Sequence, residues 1–163
     1  MTAPRPPADR DDRRDLAGAL HHVAIVVPSI AAALPFYRDT LGLTPGPVHE
    51  LAEQRVRAVF LGSGATRIEL IEPLDAISGV ATFLAARGRP TLHHLCFIAD
   101  DLAGTLGDLA AAGIELVDRV PRAGVHGEVA FLHPRAADGV LIELIDRASL
   151  RDAAVATPST GTT

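Results

Sequence analysis

The chain has 163 residues, 48% of them apolar, and a net charge of −5. That is one domain's worth of chain with enough apolar residues for a packed core, and the negative balance without a basic cluster argues against nucleic acid as a partner. No apolar run approaches the ~20 residues of a membrane-spanning helix, and the N-terminal stretch has neither the apolar core of a signal peptide nor the acid-poor composition of a transit segment.

Residues 1–18 are rich in Pro, Arg and Asp and poor in large apolar side chains, so a disordered tail is expected there. The segment 21–27 is a β-rich apolar run stopped by Pro28. Ser29 can cap a helix that runs to Leu41 and stops at Gly42, with Pro35 kinking it or delaying its start. Pro45, Gly46 and Pro47 predict a loop, 48–51 a short strand, and 55–61 and 66–72 two strands joined by a turn at 62–65. Ser78 caps a helix to Arg87, ended by Gly88, that connects the two halves. The second half repeats the order. A strand at 91–99 is followed by a helix from Asp101 to Ala112, capped near Asp100 or Asp101 and stopped by Gly113, and by strands at 114–120, 128–132 and 139–146. The stretch 149–163 is small and Ser/Thr-rich and is expected to be flexible. The folded domain is therefore expected over 19–148, in modules of about 19–88 and 89–148. The class is α+β: two tandem βαβββ modules forming a curved mixed sheet. The single Cys96 lies in an apolar run and reads as a buried, reduced thiol, so the cytoplasm is the expected location.

The halves also repeat their chemistry. Residues 20–28 read LHHVAIVVP and 92–100 read LHHLCFIAD, while RIELIEP at 67–73 is echoed by LIELIDR at 141–147. Each half carries a His early and a Glu late, on strand-like runs, as two copies of one supersecondary unit would. If the copies face each other, two imidazoles and two carboxylates converge, a set that suits a divalent transition metal. Strand alternation puts His22 with Ala24 and Val26, and His94 with Cys96 and Ile98. The face with smaller residues leaves room for a bowl. His22, Glu69, His94 and Glu143 are thus the expected ligands, with His21 and His93 on the other face or at the strand edge. For one module alone, an exposed Glu and a core His would be the plainer reading; the matching offsets favour the metal. Four such ligands leave two octahedral positions open, which catalysis by a metal requires. Glu72 alternates away from Glu69 and reads as structural. His49 and Glu50 read as solvated, and His133-Pro134 as a turn entry. Gly124-Val125-His126-Gly127 is too short to be a phosphate loop on its own, and no Walker or dinucleotide pattern occurs.

With these units placed, the chain resembles the vicinal oxygen chelate superfamily, whose members enclose a metal between paired βαβββ modules. The segment FYRDTLGL at 36–43 is similar to that superfamily's first-helix signature. Within it, residues 20–146 or so resemble the methylmalonyl-CoA epimerases. The stretches that carry this are LHHVAIVVPSI at 20–30, EQRVRAVFL at 53–61, TRIELIEPL at 66–74, LHHLCFIADDL at 92–102 and GVHGEVAFLHPRAADGVLIEL at 124–144. The resemblance implies a homodimer and a divalent cofactor (cobalt, zinc, nickel, manganese or magnesium) on the same four residues that the repeat selects. It also has a departure. Some bacterial members carry a second catalytic Glu where this chain has Ala58, and Arg55 replaces the Gly of the adjoining motif. Other members lack that Glu as well, so the activity stays implied while one proton-transfer group is unidentified.

The implied reaction interconverts the (R) and (S) forms of methylmalonyl-CoA by moving the C2 proton. Glu143 is the first candidate for that work and Glu69 its counterpart under the repeat, with Glu50, Glu53 and His126 in reserve. An acyl-CoA substrate carries phosphates, so arginines are expected at the mouth, Arg122 and Arg135 among them, with His126 a further substrate contact. Two alternatives share the scaffold: a glyoxalase-I-like isomerase with the same ligand set, and a binding protein that sequesters a drug or metabolite without turnover. A ring-cleaving dioxygenase fits less well, because it prefers two His and one carboxylate around iron.

Overall fold

The computed structural model describes residues 16–62 and 67–151. Most of the two expected tails and of the turn at 62–65 lie outside the described residues. The first module contributes β1 (Leu20–Val26), α1 (Ile30–Pro35), β2 (Pro45–Leu51), β3 (Val56–Leu61) and β4 (Ile68–Pro73). A linking helix, α2 (Gly79–Arg87), leads to β5 (Thr91–Ala99), α3 (Leu102–Ala111), β6 (Arg122–Ala123), β7 (Glu128–Leu132) and β8 (Leu141–Asp146). All eight strands join one sheet in the order β2-β3-β4-β1-β5-β8-β7-β6. The modules meet where β1 pairs antiparallel with β5; β4 and β8 flank them in parallel. This is the mixed, curved α+β sheet that the repeat predicts.

The two faces of the sheet separate packing from chemistry. On the outer face, Val27, Val59, Leu61 and Leu70 pack with Ile30 of α1. The equivalent cluster of Ala99, Ala130 and Leu144 packs with Leu102 and Leu106 of α3. The inner face carries smaller clusters, Ala24 with Val56 and Ile71, and Cys96 with Val129 and Ile145. Leu70 is fully buried beneath α1, so Leu70→Ala is expected to cost about 2–5 kcal/mol of stability. Denaturant unfolding measures this, and a loss below 1 kcal/mol would mean the first helix is not held by this cluster.

The IEL echoes have two jobs, split by strand alternation. In each, the first acid turns inward and the second, three residues on, turns outward. Glu72 Oε2 accepts from the N–H of Ile30 at 2.7 Å, and Asp146 Oδ1 from the N–H of Leu102 at 3.3 Å. Both carboxylates therefore sit at the N-terminus of their module's helix, where its unpaired N–H groups and dipole favour an acceptor. Ser29, Ser78 and Asp101 cap their helices as expected, accepting from Ala32, Ala81 and Gly104.

Three expectations need correction. Pro45, Gly46 and Pro47 are not a loop but the start of β2, a position an edge strand tolerates because it needs no inward N–H there. The first helix does not continue as an α-helix past Pro35; the turn Phe36–Thr40 widens, with the N–H of Leu41 reaching the carbonyl of Phe36. Pro35 has no N–H to continue the regular ladder. Finally, 114–120 is not a strand. Only Leu116 bridges to Leu132, because the Asp118 carboxylate takes the N–H of Phe131 at 2.9 Å in place of a ladder carbonyl. At the site of the missing motif Gly, Arg55 adopts a left-handed φ of 58°, and its side chain pairs with Asp75 at 2.7 Å.

Candidate metal centre

Four central strands build the site. Glu69 lies beside Ala24 across the β4–β1 pair, and Glu143 beside Cys96 across the β8–β5 pair. His94 pairs with Ala24 and His22 with Cys96 across the central β1–β5 seam. The two modules thus place their His and Glu on equivalent rungs, and all four side chains are buried.

Their polar atoms converge. His22 Nε2 and His94 Nε2 are 3.1 Å apart. Glu143 Oε2 lies 3.3 Å from His22 Nε2 and 3.0 Å from His94 Nε2. Glu69 Oε2 lies 3.4 and 3.6 Å from the same two nitrogens. Two acceptor-capable nitrogens face each other at the rim of two carboxylates, a donor set that fits a divalent cation. The electrostatics agree. Burial disfavours a charged His22, yet the Glu143 and Glu69 carboxylates outweigh it and raise the imidazole to about 9. Burial likewise opposes ionised Glu143, but hydrogen bonds with His22 and His94 hold it well below the ordinary carboxylate range. Buried carboxylates in this setting call for a positive charge, which a proton or a cation can supply.

The expectation that His21 and His93 point away fails for a local reason. Leu20 pairs with Phe97 but His22 with Cys96, and Ala24 pairs with His94 but Ile25 with Leu92. His21 and His93 are therefore the extra residues of two symmetric bulges, which re-aim side chains that alternation would send away. Each turns back on its neighbour, with Nδ1–Nδ1 separations of 2.8 Å for His21–His22 and 2.9 Å for His93–His94. The second His of each pair keeps Nε2 for the centre. Buried orienting partners of this type tune a metal site without binding the ion. Burial first, then the charge of His94, lowers His93 to about 4. His21→Ala and His93→Ala are each expected to weaken metal binding about 10–100-fold without abolishing it. Calorimetric titration with a divalent cation measures this; complete loss would make them ligands.

Two phenylalanines that sequence reasoning missed frame the centre. Phe60 meets His22 edge to face at 5.1 Å, and Phe131 meets His94 in the same way at 5.3 Å. Phe60 pairs with Glu69 and Phe131 with Glu143, so their equivalence was readable from the repeat once the register was known. Above them opens a cleft, lined also by Gln54, Val125 and His126. Arg122 stacks over Phe131 at 5.1 Å and pairs with Asp118, beside an adjoining pocket that Glu53 and Gln54 share. Arg135 is not brought to the cleft. It pairs with Glu115 at 3.2 Å on the outside. Glu50 pairs with Arg57, and Ala58 is buried on β3 opposite Ile71. Burial, with Glu143 alongside, pushes the Cys96 thiol upward, so it is inert rather than nucleophilic.

Residues 21–131 match the glyoxalase/bleomycin resistance protein/dioxygenase superfamily. The chain belongs to that superfamily. Among its relatives, the mitochondrial methylmalonyl-CoA epimerase of Mus musculus is 38% identical over 128 residues, covering 78% of this chain and 72% of the relative. The ethylmalonyl-CoA/methylmalonyl-CoA epimerase of Cereibacter sphaeroides is 37% identical over 131 residues, covering 79% of this chain and 98% of the relative. The crystal structure of methylmalonyl-CoA epimerase from Mycobacterium tuberculosis aligns with a TM-score of 0.75 at 34% identity, covering 80% of this chain and 89% of that one. Within the superfamily the chain stands with the epimerases, and it is an enzyme of the epimerase and racemase class.

Proposed function

We propose that the enzyme interconverts the C2 epimers of methylmalonyl-CoA, using a divalent cation held by His22, Glu69, His94 and Glu143. The observation that carries the reading is the convergence of these four buried side chains from equivalent rungs of the two modules. The epimerase relatives supply the substrate class.

The chemistry follows from the substrate. Its C2 proton lies between a thioester and a carboxylate, and removing it places negative charge on the thioester oxygen. A divalent cation bound by the four residues would supply Lewis-acid stabilisation of that charge. The protein's own groups do the rest. Glu143, buried beside both imidazoles, exchanges a proton with one face of C2 in this reading. Glu69 is its carboxylate counterpart in the first module. Phe60 and Phe131 exclude water from both flanks of the imidazole pair. Arg122, held over Phe131 at the mouth, offers a cation to the anionic substrate. Among the described residues, no helix is long and apolar enough to cross a membrane.

The test is direct. Metal-loaded protein is incubated with one epimer of methylmalonyl-CoA, and in parallel with the glutathione hemithioacetal that a glyoxalase-I-like isomerase would take. Racemisation of the first with no product from the second supports the proposal. The reverse outcome would assign the glyoxalase reaction, and turnover of neither would favour a binding protein.

A further inference from the structure

Inversion at C2 needs proton access from both faces of a planar intermediate, and position 58 has no titratable group to offer. The cleft holds one more base. His126 sits in the tight turn between β6 and β7, closed by a 2.8 Å hydrogen bond from the N–H of Gly124 to the carbonyl of Gly127. The turn is locked against the end of the domain. The N–H of Arg151 donates to the His126 carbonyl at 2.7 Å, and a Cβ at Gly127 would come within 2.7 Å of Ser149 Oγ.

The ring itself is held on two sides. His126 Nδ1 lies 3.0 Å from the carbonyl oxygen of Arg151. A carbonyl can only accept, so Nδ1 carries the proton, and Nε2 of the neutral ring bears the lone pair. Phe60 meets the imidazole edge to face at 4.2 Å. Among the described residues, Nε2 is a buried side-chain polar atom with no hydrogen-bond partner. An orphaned acceptor of this type asks for an explanation, because burying it unpaired costs free energy.

The position is also the right one. His126 comes from the second module but lies over the first, beside Phe60, whose strand neighbour is Glu69. Glu143 belongs to the opposite side of the imidazole pair, beside Phe131. Resting on the epimerase reading above, we propose that His126, through Nε2, is the second proton-transfer residue and works on the face of C2 opposite Glu143. In one direction Nε2 takes the C2 proton. The C–H electron pair becomes the carbon–carbon double bond of the enolate, and the thioester π pair moves to its oxygen. Protonated Glu143 then returns a proton to the other face and the electron pairs move back. The reverse epimerisation exchanges the roles. Burial lowers the pKa of His126, which keeps the ring neutral and able to accept at neutral pH.

His126→Asn and His126→Gln test this. Asn can keep a donor near the Arg151 carbonyl, and Gln fills more of the ring's volume; neither can act as the base. Each variant is loaded with the divalent cation that activates the parent and its metal content is measured. Each epimer of methylmalonyl-CoA is then followed in deuterated water. Epimerisation is expected to fall about 100-fold or more at unchanged metal content. Deuterium should still enter C2 from the epimer that Glu143 serves and no longer from the other. Parent-like epimerisation in either folded, metal-loaded variant overturns the assignment, as does an equal loss of exchange from both epimers. If the parent itself exchanges neither epimer, the substrate reading has failed, and this assignment with it.

Discussion

Glu143→Gln is expected to lower epimerisation by about three orders of magnitude with little change in fold. The side chain is buried, its Oε2 lies within 3.3 Å of the His22 and His94 imidazoles, and its strand neighbour is Cys96. The amide has almost the same volume and can still reach a cation through its oxygen, so packing survives. It carries no negative charge and cannot take up a proton. A positioned acid–base group is worth roughly 10²–10⁴ in rate, and lost charge at the centre adds to this. The measurement is turnover normalised to bound metal. A variant within about tenfold of the parent would remove Glu143 from proton transfer and leave it as a ligand.

His94→Ala is expected to have the largest effect on metal binding, an affinity loss of more than ~100-fold. Losing an outer partner of a metal site costs about 10–100-fold, and a direct ligand should cost more. His94 is the busiest node of the cluster. Its Nε2 is 3.0 Å from Glu143 and 3.1 Å from His22, its Nδ1 is 2.9 Å from His93, and Phe131 packs on its ring. Truncation leaves Glu143 buried with one imidazole instead of two. A buried carboxylate short of one hydrogen-bond partner costs stability, so the metal-free variant should also unfold at lower denaturant. Metal analysis of the folded protein decides the point, and full occupancy would sink the ligand assignment.

Much of this arrangement was legible in the residues. The doubled LHH and IEL units predicted a two-module sheet, and the modules do bring His22, Glu69, His94 and Glu143 onto equivalent rungs. Ser29, Ser78 and Asp101 marked three helix starts because each offers an oxygen to an unpaired N–H. What failed was set by contacts distant in sequence. Alternation could not foresee bulges at His21 and His93, since a bulge exists only relative to a partner strand. Prolines 45 and 47 read as a loop because edge position is a property of the sheet and not of the segment. The missing strand at 114–120 turned on one carboxylate, Asp118, which reaches a backbone N–H 13 residues away. By sequence His126 is a reserve base and a substrate contact. Its distinguishing feature, a tautomer set by the Arg151 carbonyl, needs the end of the domain folded back onto the turn. Arg135, expected at the mouth, pairs with Glu115 outside the cleft lining.

The central claim is that four residues hold a cation that this enzyme uses to move the C2 proton of methylmalonyl-CoA. The measurement that reaches it most directly is deuterium incorporation at C2 in deuterated water. Chelator-stripped protein is compared with the same protein reloaded with one divalent cation at a time. Incorporation should be absent from the stripped protein and return on reloading, in proportion to bound metal. Incorporation that survives stripping, or that no divalent cation restores, would contradict the account.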